Sequence, residues 1–116
     1  MIVIVTGGRE YKNKDMVDKV LSALNPHLIV HGACKGADQL ASAWAKVHGI
    51  EQDPHPVSNE EWTRLGPSAG PLRNERMVRK YQNEGAILIA FPGNKGTANC
   101  TLEAKIRGLV ALRVCE

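Results

Sequence analysis

The residues best suited to binding a charged ligand lie in two glycine-rich turns. The first is GNKGT, residues 93–97, which leads from an apolar segment into a predicted helix. Its glycines let backbone N–H groups approach a ligand, its lysine adds positive charge, and Thr97 is a suitable helix N-cap. A helix N-terminus carries about half a positive charge and unpaired N–H donors, so this turn predicts a phosphate site. Because Lys95 precedes the second glycine, the turn is not a Walker A loop, and we do not expect nucleoside triphosphate hydrolysis.

The second turn is TGGR, residues 6–9, and it follows the apolar run Ile2–Val5. A continuous run of branched side chains is typical of a strand that is covered on both faces of a parallel sheet. Arg9 comes directly after the glycines, so we interpret it as directed at the ligand or at a carboxylate beside it. Both turns therefore end predicted strands, the first at residues 2–5 and the other at residues 86–91.

The whole chain alternates between strand patterns and helix patterns. Predicted strands cover residues 2–5, 28–30, 86–91 and 110–114, with a weak edge strand within 50–57, and predicted helices cover 14–24, 37–48 and 72–83, with a short one from 59 and another between 97 and 108. We expect Leu65–Pro71 to form a flexible loop. Because parallel neighbours need crossover connections, this alternation predicts one α/β domain over residues 1–116, with a five-stranded parallel sheet of order 3-2-1-4-5 and helices on both faces.

In a sheet of this order, the chain reverses its winding between the first and fourth strands. Ligands of open α/β sheets bind at that point, beyond the carboxyl ends of the strands. The turns at residues 6–9 and 93–97 end those two strands, so the sequence predicts that both face one crevice. A third small-residue turn, residues 32–36, follows the second strand and leads into the helix that contains Asp38.

Length and composition limit the class of protein. A chain of 116 residues can bury a core without disulfides or metal. The net charge of +3 is far below that of a dedicated nucleic-acid binder, so we do not expect a nucleic-acid partner. No segment approaches the roughly twenty apolar residues of a membrane helix, and an odd number of cysteines without CxxC spacing favours a reducing compartment. We expect a cytoplasmic protein that does not bind membranes.

Metal chemistry is not indicated. His31, Cys34, Asp38 and His55 lack the spacing of a zinc site, so we expect no metal and no cofactor.

Four motifs occur in order along the chain: TGGREY at residues 6–11, HGACKGAD at 31–38, GPLRNERM at 70–77 and FPGNKGTANC at 91–100. With them the chain resembles the SLOG superfamily, and within it the YspA-related group of small bacterial and phage proteins. The resemblance implies a Rossmann-like domain that binds a nucleotide or nucleotide-derived small molecule in the crevice, as a sensor or a sequestering module.

The residues expected to contact such a ligand lie in the three turns and near the start of two helices. The crevice and the motifs together give, as candidates for ligand or phosphate binding, Thr6, Gly7, Gly8, Arg9, Gly32, Lys35, Gly36, Asp38, Arg73, Pro92, Gly93, Asn94, Lys95, Gly96 and Thr97. Arg73 begins a predicted helix, where a cation opposes the helix dipole and favours a bound anion. We expect Arg73 to close over the phosphate.

A more distant resemblance gives an enzymatic alternative. The LOG-type phosphoribohydrolases, another branch of the superfamily, cleave the N-glycosidic bond of nucleoside monophosphates, and their signature is an arginine four residues before a methionine, followed by PGGxGTxxE. Arg73 and Met77 match the first part, and residues 92–97 match the second except at Asn94. Cys100 replaces the glutamate of the motif, and glycosidic cleavage needs a carboxylate or a placed base. We therefore favour a binding module.

Two further alternatives concern catalysis and partners. In an enzyme of this type, the catalytic residues would be Arg73, which positions phosphate or ribose, and the acids Glu75 or Glu103. A resemblance to the DprA-type branch implies single-stranded DNA binding as a second alternative. The side chains that could stack on bases are Trp44, Trp62, Tyr11, Tyr81 and Phe91. Of these, we expect Trp44 and Phe91 in the core.

Oligomerisation is a separate expectation. The short chain and the arginine-rich helix predicted over residues 72–83 suggest a homo-oligomer, a dimer or a larger assembly, that completes the site.

Overall fold

The computed structural model describes residues 1–116, and five parallel strands form one sheet between two layers of helices. In chain order the elements are β1 (Ile2–Thr6), α1 (Lys14–Leu24), β2 (Leu28–His31), α2 (Ala37–His48), β3 (Glu51–Pro54), α3 (Asn59–Leu65), a 3-10 turn (Gly66–Ser68), α4 (Ala69–Tyr81), β4 (Ile87–Ala90), α5 (Lys95–Ile106) and β5 (Val110–Arg113). The strand order is β3-β2-β1-β4-β5, so the predicted α/β class and the predicted order 3-2-1-4-5 are confirmed.

The side chains of the central strand β1 explain why helices cover both faces of the sheet. Val3 and Val5 are fully buried in one core with α1 and α2, and Ile4 is fully buried in a second core with α4 and α5. Successive side chains of a strand point to opposite faces, so a strand made of branched apolar residues needs cover on both. Burial of one such side chain contributes about 1.5–3 kcal/mol.

The register places the ends of β1 and β4 side by side. Thr6 pairs with Ala90 at the last position of the two strands. The turns that follow touch each other, because the Gly8 N–H donates a hydrogen bond to the Pro92 carbonyl oxygen at 2.8 Å. The point where the winding reverses is therefore built from these two turns.

The prediction of a flexible loop over Leu65–Pro71 is wrong. Helix α3 continues through Leu65, a 3-10 turn covers Gly66–Ser68, and α4 begins at Ala69, three residues before the predicted start of that helix. Pro67 and Pro71 lie in the first turns of these two helical segments. A proline there removes only an N–H that has no helical partner, so it does not interrupt the helix.

The weak strand predicted within residues 50–57 is confirmed as β3, an edge strand that pairs in parallel with β2. None of the helices has both the length and the apolar character that crossing a membrane requires. The cysteines Cys34, Cys100 and Cys115 are all free thiols.

Candidate ligand-binding site

A cavity of about 490 Å³ opens at the carboxyl ends of β1 and β4. Its size falls in the range of roughly 300–1,000 Å³ that is usual for small-molecule sites. The predicted ligand-binding residues that the structure brings together there are Thr6, Gly7, Arg9, Asp38, Arg73, Asn94, Lys95, Gly96 and Thr97. The cavity is therefore shared by the turns after β1 and β4, as the winding of the sheet requires.

The first turn of α5 enters this cavity with its hydrogen-bond donors free. The N-cap residue, Asn94, makes no side-chain capping bond, and the backbone N–H groups of Lys95, Gly96 and Thr97 donate no hydrogen bond within the protein. A Cβ placed on Gly96 meets no atom within 4 Å. Three unpaired donors at the positive end of a helix dipole are an arrangement that binds anions.

Thr97 is the buried member of this turn. Thr97 is 9% exposed, and its hydroxyl oxygen is buried without any hydrogen-bond partner. The prediction that Thr97 caps the helix is wrong, because the chain enters the helix at Lys95 and Asn94 takes the N-cap position. A buried hydroxyl without a partner costs about 1–3 kcal/mol, so the folded protein carries an unsatisfied polar atom in this turn.

Contacts within the protein account for most of the glycines in the two turns. A Cβ on Gly7 would overlap the Ala37 side chain, and a Cβ on Gly8 would lie 3.0 Å from the Pro92 carbonyl oxygen. A Cβ on Gly93 would overlap the Thr97 hydroxyl. These glycines let the turns pack against each other and against α2, and neither Gly8 nor Gly93 lines the cavity.

The third turn, before α2, is closed by the protein itself. Gly36 has φ +80°, and a Cβ there would overlap the Gly8 carbonyl oxygen, which accepts a hydrogen bond from the Ala37 N–H at 3.2 Å. Asp38 Oδ2 accepts hydrogen bonds from the backbone N–H of Gly32 at 3.0 Å and of Cys34 at 3.3 Å. Burial raises the pKa of the Asp38 carboxyl, against the opposing charges of its neighbours.

Arg73 is held by the protein's own acceptors. Its Nη1 donates to the carbonyl oxygens of Gly32 at 2.6 Å and His55 at 3.2 Å, its Nε to Asn74 Oδ1 at 2.9 Å, and its Nη2 to Cys34 Sγ at 3.7 Å. A guanidinium has five N–H donors, so one remains for a ligand. A Cβ on Gly32 would overlap this guanidinium. The glycine at this position therefore makes room for Arg73 and not for a ligand.

Several predicted residues lie elsewhere. Gly32 and Lys35 line an adjacent hollow of about 430 Å³ that also contains Arg9 and Arg73. Pro92 and Gly93 line a third hollow, of about 950 Å³, formed by α5 and residues 113–116; no residue of the turn after β1 reaches it.

The acids of the enzymatic alternative are not brought to the cavity. Glu75 pairs with Arg79 and Arg107, and Glu103 pairs with Arg107. Cys100, at the position of the motif glutamate, is fully buried, and burial raises the pKa of its thiol to about 12. Asp38 is the one carboxylate that lines the cavity.

No group of three or more His, Cys, Asp and Glu side chains is close enough to hold a metal ion.

Seven residues that line the cavity were not among the predicted ligand-binding residues: Cys34, Trp62, Pro67, Gly70, Pro71, Asn74 and Asn99. Asn74 is buried, accepts from Arg73 and donates to Asn99 Oδ1 at 3.0 Å. The place of Asn74 beside Arg73 in the GPLRNERM motif was an available signal, as was the place of Asn99 in the FPGNKGTANC motif. Trp62 is 40% exposed.

The α/β fold of the chain is Rossmann-like. The model of the YspA, cpYpsA-related SLOG family matches residues 1–62, and the chain belongs to that family. It is also 35% identical over 118 residues to the Gene 61 protein of Mycobacterium phage D29, with 92% of this chain and 90% of the phage protein covered. The match to the family model includes the turns after β1 and β2, whereas α4 and α5 lie beyond it.

Proposed function

We propose that this protein binds a nucleotide or nucleotide-derived small molecule, with a phosphate on the first turn of α5, and acts as a sensor or sequestering module. The observation that carries the proposal is the Thr97 hydroxyl, which is buried, unpartnered and located on a helix turn with three free N–H donors. Membership of the SLOG family supports a nucleotide-related ligand over an unrelated anion.

Two cations at the cavity support a phosphate. Arg9 and Lys95 are exposed, line the cavity and form neither an ion pair nor a side-chain hydrogen bond within the protein. Side chains that are free of internal partners can turn toward an anionic ligand and add charge-assisted hydrogen bonds to those of the backbone.

The lining supports binding more than glycosidic cleavage. Cleavage needs a carboxylate or base beside the sugar. Asp38 already accepts two backbone hydrogen bonds, and Glu75 and Glu103 are paired with arginines outside the cavity. We expect no free base when the protein is incubated with a panel of nucleoside monophosphates. Release of base that Arg73→Ala abolishes would replace the binding proposal with the enzymatic one.

A thermal-shift screen tests the binding proposal directly. The panel contains nucleoside monophosphates, dinucleotides, ADP-ribose derivatives and inorganic phosphate. A ligand at a hundred times its dissociation constant adds about 2.7 kcal/mol to the free energy of unfolding. If the folded protein shows no thermal shift with any compound of the panel, the proposal is contradicted.

A matched pair of variants on α5 locates the phosphate. Thr97→Val removes the unpartnered hydroxyl, and we expect a loss of affinity of roughly 10–100-fold, because a hydrogen bond to a charged group contributes about 1.5–3 kcal/mol. Thr101→Val makes the same change one turn later, outside the cavity, where the hydroxyl donates to the Thr97 carbonyl oxygen. Equal losses in the two variants, measured by calorimetry, would place the phosphate elsewhere.

We also propose that the chain forms a homo-oligomer. The arginines of α4 are paired within the chain, Arg76 with Glu61 and Arg79 with Glu75, so they do not support an interface. Large apolar side chains of the adjacent elements α5 and β5 do support one, since Leu102, Ile106, Val110 and Leu112 are 50–69% exposed. Light scattering tests this proposal, and a mass of 12.6 kDa at all concentrations would contradict it.

A further inference from the structure

We propose that Trp62 is the surface on which the planar base of the ligand stacks, while the phosphate rests on the first turn of α5. This inference rests on the proposed function and extends it from a phosphate site to the recognition of a base. Trp62 is the only aromatic residue that lines the cavity; the other lining residues are polar, charged or small. A flat ring that enters this cavity therefore has one aromatic face to meet.

The local structure holds Trp62 in place at the rim. Ser58 and Glu61 form a capping box at the start of α3, and the Trp62 N–H donates to the Ser58 carbonyl oxygen at 3.0 Å. Glu61 also pairs with Arg76 of α4 at 3.6 Å. Gly70, at the start of α4, lies beside the indole, where a Cβ would stand 4.0 Å from the ring. The helix backbone at Trp62 is thus anchored, and one small neighbour lies beside the edge of the ring.

The second tryptophan shows what a purely structural tryptophan looks like in this fold. Trp44 is 4% exposed, its Nε1 donates to Ser22 Oγ at 3.1 Å, and it stacks on His48 with ring centroids 4.5 Å apart. Trp62 is 40% exposed, and its Nε1 has no hydrogen-bond partner in the protein. A buried tryptophan usually satisfies its N–H, whereas Trp62 has an exposed ring face and an N–H that are available to a ligand.

Stacking predicts which ligands bind tightly. Each base–aromatic stack contributes a factor of roughly 5–150 in affinity. Ribose 5-phosphate keeps the phosphate and sugar but lacks the base, so we expect it to bind weaker than AMP or GMP by about that factor. Purine mononucleotides should bind tighter than UMP or CMP, because the larger ring covers more of the indole.

Isothermal titration calorimetry of AMP and ribose 5-phosphate against three forms of the full chain tests this. Trp62→Ala should weaken AMP binding roughly 5–150-fold and leave ribose 5-phosphate binding unchanged, and Trp62→Phe should restore most of the AMP affinity. In parallel, AMP should quench the fluorescence of the parent protein by acting on Trp62, and no quenching should remain in Trp62→Ala, where Trp44 alone emits.

The outcomes separate this inference from the proposed function. Equal affinity for AMP and ribose 5-phosphate, unaffected by Trp62→Ala, would overturn stacking on Trp62 and leave the phosphate site standing. Absence of any nucleotide or phosphate binding by the folded protein would overturn both. Binding of a single-stranded oligonucleotide that depends on Trp62, without binding of mononucleotides, would also overturn the proposal and assign the indole to DNA.

Discussion

The starts of helices α2 and α5 both follow a glycine-rich turn at the carboxyl edge of the sheet, yet the protein bonds the first N–H of α2 and none of the first three N–H groups of α5. At α2, the Gly8 carbonyl oxygen accepts the Ala37 N–H, and Asp38 accepts two N–H groups of the preceding turn. At α5, the first three N–H groups and the Thr97 hydroxyl have no partner in the protein. Two similar motifs therefore have different roles, one in contacts within the protein and the other at the cavity.

The difference lies in what surrounds each glycine. Because Gly36 has no side chain, there is room for the Gly8 carbonyl oxygen, and because Gly32 has none, there is room for the Arg73 guanidinium. The turn before α2 therefore contacts other parts of the chain. The missing side chain of Gly96 faces open space. A glycine-rich turn marks a ligand site only where the space that it leaves is not filled by the protein.

The largest expected effect comes from placing a methyl group on the closed turn. Gly36→Ala should lower the free energy of unfolding by about 2–5 kcal/mol, because alanine at positive φ costs about 1–2 kcal/mol and overlap in a packed region about 1–3. Urea unfolding measures this change.

The matched control is Gly96→Ala on the open turn, which should change stability by less than about 1 kcal/mol and in the stabilising direction. If the two variants lose the same stability, the contrast between the turns is wrong.

The next effect concerns the open turn alone. Thr97→Val keeps the shape of the side chain and removes a buried hydroxyl that has no partner. We expect the ligand-free protein to become more stable by about 1 kcal/mol, because the cost of burying that hydroxyl disappears. Urea unfolding without ligand provides the measurement, and a loss of stability would mean that the hydroxyl is bonded in the native protein.

A smaller effect tests the carboxylate at the closed turn through pH. Burial raises the pKa of Asp38 above its ordinary 3.8, while electrostatic interactions with His31 and Arg73 and hydrogen bonds from the backbone oppose the shift. Because the pKa is higher in the folded state, the contribution of Asp38 to stability is complete below about pH 3.8 and is lost as pH rises through the folded pKa.

The variant Asp38→Asn is neutral at every pH and keeps an oxygen acceptor. Its stability relative to the parent protein should therefore improve as pH rises above about 4. Urea unfolding of both proteins over this range gives the difference, and a difference that does not vary with pH would show that Asp38 ionises as readily as in the unfolded chain.

The smallest effect is expected outside both turns. Glu103→Gln removes one partner of Arg107, which also pairs with Glu75. Such partly exposed pairs contribute about 0.2–1 kcal/mol, so we expect a change in stability below about 0.5 kcal/mol and unchanged nucleotide affinity. A marked loss of affinity in calorimetry would connect Glu103 to the site and revive the enzymatic alternative.

The sequence was sufficient for the fold because its signals are local. Branched runs such as Ile2–Val5 and Leu28–Val30 identify buried parallel strands, and the helix periodicity between them gives the crossovers. The failure at Leu65–Pro71 is also local, since prolines and glycines there were interpreted as a loop although prolines fit the first turn of a helix.

The site could be located from the sequence but not resolved into its parts. The ends of β1 and β4 gave its place, whereas the roles of Gly32, Gly36 and Arg73 depend on contacts between residues far apart in the chain. The N-cap at Asn94 could not be separated from Thr97, because both residue types cap helices well. In the sequence, Trp62 is only one of several aromatic residues that could stack on bases. Its exposure at the cavity results from the packing of α3 on α4.

The uncapped first turn of α5 has a consequence for the lifetime of the protein. Without a ligand, its amide protons at Lys95–Thr97 are free of internal hydrogen bonds, so this end of the helix is a point at which the crevice can unfold locally and meet proteases. Under the proposed function, an anion bound there closes that route and slows degradation. The amount of this protein in a cell would then follow the concentration of its ligand, even with synthesis held constant.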